Sequence, residues 1–177
     1  MIYIYPTDTA YALGCDGRDG QAIKKIFEIK GRQESKTLPL IAADIEMVRD
    51  WCELSEKAEE LAEKYWPGPL TLVVPIKKQG LSKSVMQDNQ TAIRVPNSEE
   101  ARNLSKHIGA PICSTSANKS GNENCYSIDE VRASLGDGIK LVDEIIDKGA
   151  LEKKEASTIV KIEGGKVAVL RKGAIIV

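Results

Sequence analysis

Four stretches of the chain carry side chains able to handle a polar or charged ligand. Pro6-Thr7-Asp8-Thr9-Ala10-Tyr11 packs two hydroxyls and a carboxylate into a turn that follows an apolar run. Such a turn either binds a polar ligand or satisfies its own backbone. Lys30-Gly31-Arg32-Gln33-Glu34-Ser35-Lys36 sets three cations around a glycine. Arginine offers a rigid fork and lysine a mobile point charge, which together suit a triphosphate or, failing that, water. Ser114-Thr115-Ser116-Ala117-Asn118-Lys119-Ser120-Gly121 comes directly after the apolar Pro111–Cys113. Its small side chains and exposed N–H groups could cradle an anion or an adenosine. Arg94, in Ala92-Ile93-Arg94-Val95-Pro96, is a charge on a strand otherwise fit for burial. It needs an anionic partner, either an internal carboxylate or one on a ligand. Arg171 poses the same question in Leu170-Arg171-Lys172-Gly173, and Ser157-Thr158 opens the run before it. Trp66-Pro67-Gly68-Pro69-Leu70-Thr71 reads as a rigid structural corner.

Other chemistries are excluded. The chain has one histidine, His107, and four cysteines, Cys15, Cys52, Cys113 and Cys125, with no C-x-x-C pair. Histidine relays, zinc ribbons and thioredoxin-type redox motifs therefore do not fit, and no protein-bound metal is expected. The cysteines read as buried, reduced thiols. Neither the P-loop spacing nor the dinucleotide-binding glycine pattern occurs. The aromatic residues are scattered, unlike those of a base-stacking sheet.

The elements that must position these residues follow from local pattern. Ile2–Tyr5 predicts a first strand. Asp19 caps a helix with Ala22, Ile23, Ile26 and Phe27 on one face, and Gly31 stops it. Leu38–Ala42 predicts a strand and Ile45–Trp51 a short helix. Ser55 caps a helix through Tyr65. Leu70–Val74 and Ala92–Val95 are strand-like, Ser98 caps a helix toward His107, and Pro111–Cys113 is the next strand. Ser127-Ile128-Asp129-Glu130 is a capping box for a helix to Leu135. Leu141–Ile146, Thr158–Ile162 and Val167–Leu170 complete the strands, the last two joined at Gly164-Gly165. Alternating strands and helices with a terminal hairpin predict one α/β domain over 1–177 with a mixed sheet.

With 177 residues and 25 basic against 26 acidic side chains, the chain is sized for one domain and almost neutral. That balance excludes a protein that coats nucleic acid or membranes, but not a local basic patch. Residues 24–36 hold such a patch, with five cations against two acids; residues 53–64 hold five glutamates against two lysines. The acidic stretch reads as a solvated helix face. The N-terminus lacks a secretory pattern and no apolar run is long enough to span a bilayer, so a cytoplasmic location is expected.

In this order, PTDTAYALG (6–14), KGR…K (30–36), WPGPLT (66–71), AIRVP (92–96), STSANKSG (114–121), STIV (157–160) and LRKG (170–173) resemble the YrdC/TsaC family of threonylcarbamoyl-AMP synthases. The resemblance implies a twisted mixed open sheet with flanking helices around a large basic cavity. It implies a nucleotidyltransferase that joins L-threonine, bicarbonate and ATP into threonylcarbamoyl-AMP, releasing pyrophosphate, with Mg²⁺ accompanying ATP. A separate transferase complex then modifies the adenosine beside the anticodon of certain tRNAs. Carried over by position, Thr9, Arg94 and Ser157 fall where the family holds threonine. Arg32, Lys36, Ser116, Asn124 and Arg171 fall where it holds ATP, and Lys30 and Asn118 match motif positions expected to line the same cavity. Lys30, Arg32 and Lys36 are the cations assigned to catalysis.

The chain departs from the family pattern at Ala12, Gln33, Ile41 and Ala156, and ends at Val177 without the extra domain of the long form. Two alternatives accompany the synthase reading. One is a non-catalytic binder of double-stranded RNA or tRNA built on the same fold. The other is a carbamoyl-adenylate-forming enzyme, whose usual acylphosphatase and zinc-finger modules have no counterpart here.

Overall fold

Asp19 and Gly31 set the length of the first helix. The Asp19 carboxylate accepts from the backbone N–H groups of Gln21 and Ala22, and Gly31 takes the left-handed φ of 59° that closes the last turn. Between them α1 (Gly20–Lys30) buries Ala22, Ile23, Ile26, Phe27 and Ile29. The other four helices start on the same principle. Asp44, Ser55, Ser98 and Ser127 cap α2 (Ile45–Trp51), α3 (Glu56–Tyr65), α4 (Glu99–Ile108) and α5 (Ile128–Leu135), each accepting from the third helical N–H.

The computed structural model describes residues 1–33 and 37–177. Among them nine strands form one sheet: β1 (Ile2–Pro6), β2 (Tyr11–Asp16), β3 (Leu40–Ile41), β4 (Leu70–Pro75), β5 (Gln90–Arg94), β6 (Ile112–Ser116), β7 (Glu144–Ile145), β8 (Thr158–Glu163) and β9 (Lys166–Arg171). Their spatial order is β7-β1-β2-β6-β3-β5-β4-β8-β9. Pairs β1–β7, β3–β5 and β4–β8 are parallel and the rest antiparallel, which makes the sheet mixed, as expected.

The two faces of this sheet have different fates. One packs Tyr11, Leu13, Cys15, Leu40, Leu70, Leu72, Ile93 and Cys113 against α1, α2, α3 and α5 in the main core. The opposite face is covered only in part. There Tyr3, Tyr5, Ala12, Ile41 and Ile112 pack against Ala101 and Leu104 of α4. Beyond the reach of α4 the same face carries Ser114, Ser116, Arg94, Ala92, Thr71, Val73, Ile159 and Lys161, and these line a cavity of about 670 Å³. The uncovered half of one sheet face is the floor of the site.

Several elements differ from the pattern in the sequence, and of the expected strand Leu38–Ala42 only Leu40–Ile41 is strand. Strand β2 has no counterpart in the sequence pattern, because Ala12 and Gly14 have low strand propensity. Gly14 is small because of what surrounds it: a Cβ there would collide with the Cys113 carbonyl and sit 2.7 Å from the Tyr5 hydroxyl. Strand β6 runs on through Ser116 rather than ending at Cys113, because it pairs with β2 as far as Ala12–Ser116. The run 141–146 keeps only two residues as strand, preceded by a 3₁₀ turn over Gly136–Leu141. The Trp66 corner is structural as read. Its indole N–H donates to the Leu70 carbonyl at 2.6 Å, and the Trp66–Pro67 peptide is cis. All four cysteines are free and buried. No helix among the described residues is long and apolar enough to cross a membrane.

Candidate active site

The 7–10 turn between β1 and β2 is partly self-satisfied. Thr7 Oγ1 accepts from the N–H groups of Thr9 and Ala10, both at 3.2 Å, and donates to the Ala10 carbonyl at 2.7 Å. Thr7 therefore has the bland role. Asp8 does not. Its carboxylate receives Arg94 Nη1 at 2.6 Å and the Asn97 N–H at 3.2 Å. The side chains of Arg94 and Asp8 are only 10% and 9% exposed. The anionic partner that Arg94 needs is thus internal. Its second terminal nitrogen lies 3.4 Å from Thr9 Oγ1, beyond a strong bond, and both residues line the cavity.

Arg171 closes the opposite wall. Its guanidinium donates to the Ser157 carbonyl at 2.7 and 3.0 Å and to Ser157 Oγ at 2.9 Å. Ser157 Oγ in turn shares a 2.9 Å hydrogen bond with Thr71 Oγ1. Among the described residues Arg171 has no carboxylate partner. Burial, then the Arg94 charge, holds its pKa below the usual value. Two guanidinium groups that repel each other across one cavity leave an opening for an anion.

The third wall is made where β6 leaves the sheet. Ser116, Thr115 and Asn124 line it, with Arg32 just beyond the end of α1. Behind this wall is a clamp. Lys30 Nζ donates to the carbonyls of Ser116 and Asn118, the second at 2.7 Å. Asn118 Nδ2 donates to the Asn122 carbonyl at 2.6 Å, and Lys119 Nζ to the Ile29 carbonyl at 2.7 Å. A lysine at the end of α1, 3% exposed, thus ties the helix to the loop after β6. Burial, then the neighbouring Arg32 charge, pushes the Lys30 pKa down to about 8.

The expected site residues therefore sort into two groups. Thr9, Arg94, Ser157, Arg32, Ser116, Asn124 and Arg171 all line the one cavity. Lys30 and Asn118, expected on the wall, stand behind it: their polar atoms are spent on backbone groups of the 116–122 loop. Lys36 lies outside the described residues. Asp8, Thr71 and Lys161 were not singled out. Asp8 and Thr71 lie inside two of the quoted motifs, and Lys161 follows the inward alternation of β8 from Ile159. Around the described wall Arg32, Arg94, Lys161 and Arg171 stand against one carboxylate, Asp88, so the cavity is basic as expected.

A family model described as telomere recombination, covering the Sua5, YciO and YrdC proteins, matches residues 1–173. This chain belongs to the Sua5/YciO/YrdC family. The threonylcarbamoyl-AMP synthase of Aliivibrio fischeri is 38% identical over 139 residues, 77% of this chain and 75% of the relative. The putative threonylcarbamoyl-AMP synthase of Methanocaldococcus jannaschii is 33% identical over 174 residues, 98% of this chain and 80% of the relative. Among solved structures, P. abyssi Sua5 complexed with L-threonine superimposes with a TM-score of 0.87 at 33% identity. That match covers 97% of this chain and half of the Sua5 chain. The family's open α/β sheet is the fold described above.

Proposed function

We propose that this member of the Sua5/YciO/YrdC family is an L-threonylcarbamoyladenylate synthase, a nucleotidyltransferase acting on L-threonine, bicarbonate and ATP. The observation that carries the reading is convergence. Thr9, Arg94 and Ser157 share one cavity with Arg32, Ser116, Asn124 and Arg171, and Arg171 touches Ser157 directly. A cavity of about 670 Å³ accommodates a nucleotide and a small amino acid side by side.

The chemistry asks for positioning more than for a protein acid or base. The threonine amine attacks the bicarbonate carbon, a C–O bond breaks, and water leaves with the carbamate formed. A carbamate oxygen then attacks the α-phosphorus of ATP. The bond from that phosphorus to the bridging oxygen breaks, and pyrophosphate departs with the electron pair. Arg94 and Thr9 would hold the threonine carboxylate and hydroxyl. Arg32 and Arg171 would neutralise charge on the triphosphate, with Lys36 as a third cation, and Ser116 and Asn124 would receive the rest of the nucleotide. Lys30 and Asn118 act from behind by fixing the loop. Mg²⁺ bound to the triphosphate would add charge neutralisation. The described wall offers it one carboxylate, Asp88, so the phosphates would be its main ligands.

The product's destination is a separate threonylcarbamoyl transferase complex acting on tRNA, in the cytoplasm. The test is pyrophosphate release by the purified chain. Release that needs all three substrates together supports the reading. RNA binding that weakens with salt, without any nucleotide binding, would overturn it in favour of a non-catalytic RNA binder.

A further inference from the structure

Tyr5 is the residue that neither the fold nor the mechanism accounts for. Its side chain is fully buried under α4, on the sheet face that continues into the cavity floor, and its hydroxyl is the one buried side-chain polar atom among the described residues without a hydrogen-bond partner. A phenylalanine would fill the same space without burying an unpartnered O–H, so the oxygen is what needs a reason.

The geometry around it is specific. The Tyr5 ring crosses β2 at Gly14, where a Cβ would meet the ring carbon Cε1 at 3.1 Å and the hydroxyl at 2.7 Å. Directly opposite Gly14 on the next strand is Ser114. Register thus sets the Ser114 side chain beside the phenol, and it lines the cavity. Arg94 is the cation whose charge also reaches Tyr5. Ser116 follows two residues along β6 on the same face, roughly 7 Å away. Arg171, assigned to ATP, lies across the sheet beside Ser157, but by register Ser114 stands between the row of Arg94, assigned to threonine, and Ser116, assigned to ATP. In the reaction, that is where the carbon joining the two substrates must sit.

We propose that Tyr5 is a positioning residue whose unpartnered hydroxyl donates to Ser114 Oγ when the Ser114 O–H turns into the cavity, toward an oxygen of bicarbonate and of the carbamate made from it. The inference rests on the synthase reading. A phenol is a donor that a low-dielectric floor keeps protonated, and burial raises the Tyr5 pKa further. With its oxygen occupied as an acceptor, the serine hydroxyl has its own hydrogen left for an oxyanion.

The test is Tyr5→Phe, which removes one oxygen and keeps the ring. Steady-state pyrophosphate release in CO₂-depleted buffer with added bicarbonate should show its KM raised about five- to tenfold, the worth of roughly one hydrogen bond. ATP and threonine affinities, measured calorimetrically without bicarbonate, should stay within twofold of wild type, and Tm should hold or rise. Ser114→Ala should raise the same KM by a similar factor, and the double variant should be no worse than either single one. An unchanged bicarbonate KM in Tyr5→Phe overturns the inference. So does an equal loss of ATP or threonine affinity, which would make Tyr5 a mere wall support, and so do effects that multiply in the double variant. A wild-type chain that releases no pyrophosphate overturns the synthase reading and this inference with it. An active wild type with an indifferent Tyr5→Phe overturns only the inference.

Discussion

The two ends of the cavity solve the problem of placing a cation indoors in opposite ways. At the Thr9 end, Arg94 is charge-compensated before any ligand arrives, through Asp8 at 2.6 Å. At the far end, Arg171 is held by a carbonyl and a hydroxyl, which fix its direction but leave its charge uncompensated. A compensated guanidinium is a rigid recognition surface. An uncompensated one is a standing attraction for a phosphate. The contrast assigns orientation to one end and charge neutralisation to the other.

Breaking the compensated end should have the largest effect on stability. Asp8→Ala strands Arg94 in a site 10% exposed, and removing one partner of such a buried pair costs about 3–5 kcal/mol. The denaturant midpoint of Asp8→Ala should fall accordingly. Arg18→Ala is the control. It breaks a pair of similar length, 2.7 Å, whose arginine is 43% exposed, and it should cost under about 1 kcal/mol. Equal losses in the two variants would remove the distinction between buried and exposed pairs on which the contrast stands. Because Arg94 is committed to Asp8, Arg94→Ala confounds stability with threonine binding. Arg94→Lys, which keeps a charge for Asp8 but loses the fork, is the cleaner probe of recognition.

Next in size is Lys30→Met, which removes the clamp behind the wall of Ser116 and Asn124. Two buried carbonyls, of Ser116 and Asn118, lose their donor, so a loss of about 2–3 kcal/mol and a weaker ATP site are expected. The pH dependence has a definite sign. The folded-state pKa of about 8 lies below an unfolded value of about 10.4. Between these, the unfolded chain binds the proton that the folded chain has released, so stability from this group rises with pH. The slope is at most about 1.4 kcal/mol per pH unit. The stability gap between wild type and Lys30→Met should therefore widen from pH 8 to 10. A gap that narrows would mean the ammonium is held charged by its carbonyls.

Much of this arrangement was legible from the sequence because capping is local. Asp19 with Gly31, Ser55, Ser98 and Ser127 each fix a helix boundary within a few residues of chain. What was not legible depends on partners far away in the chain. Residues 12–16 show no strand pattern until β1 and β6 pair on either side of them, and Ser114–Ser116 look like a loop until β2 pairs with them. Arg94 announced the need for an anion, but only the fold could say that it is Asp8, 86 residues earlier. Lys30 showed the reverse failure. A cation in a basic stretch invites a phosphate, and nothing local reveals that two carbonyls 86 and 88 residues away already hold it.

Arg32 sharpens the comparison from the ligand's side. It lines the cavity as an exposed-side cation rather than a core member, so Arg32→Ala should leave Tm nearly unchanged. ATP affinity should fall by about 1.5–3 kcal/mol, the range for a hydrogen bond to a charged group. Arg32→Lys should recover part of that loss if charge matters and little if the fork does. A calorimetric titration of ATP into the three proteins separates the cases. A shift in Tm as large as the loss in affinity would mean Arg32 serves the fold.

Ser116 gives the smallest effect and the finest test of where the nucleotide lies. It ends β6, its carbonyl faces back to Lys30, and its side chain faces the cavity. The backbone is therefore held whatever the side chain is, and substitutions report on the ligand rather than on the loop. Ser116→Ala should cost about 1 kcal/mol of ATP binding, the net worth of one neutral hydrogen bond. It could cost less if water takes over the contact. Ser116→Leu adds bulk at the same point, with its backbone bond to Lys30 intact, so the protein should fold while ATP binding is nearly abolished. The two variants bracket the site: a small loss from the missing hydroxyl and a large one from the added volume mean that a nucleotide packs directly on this strand end. ATP affinity preserved in Ser116→Leu would move the nucleotide away from β6.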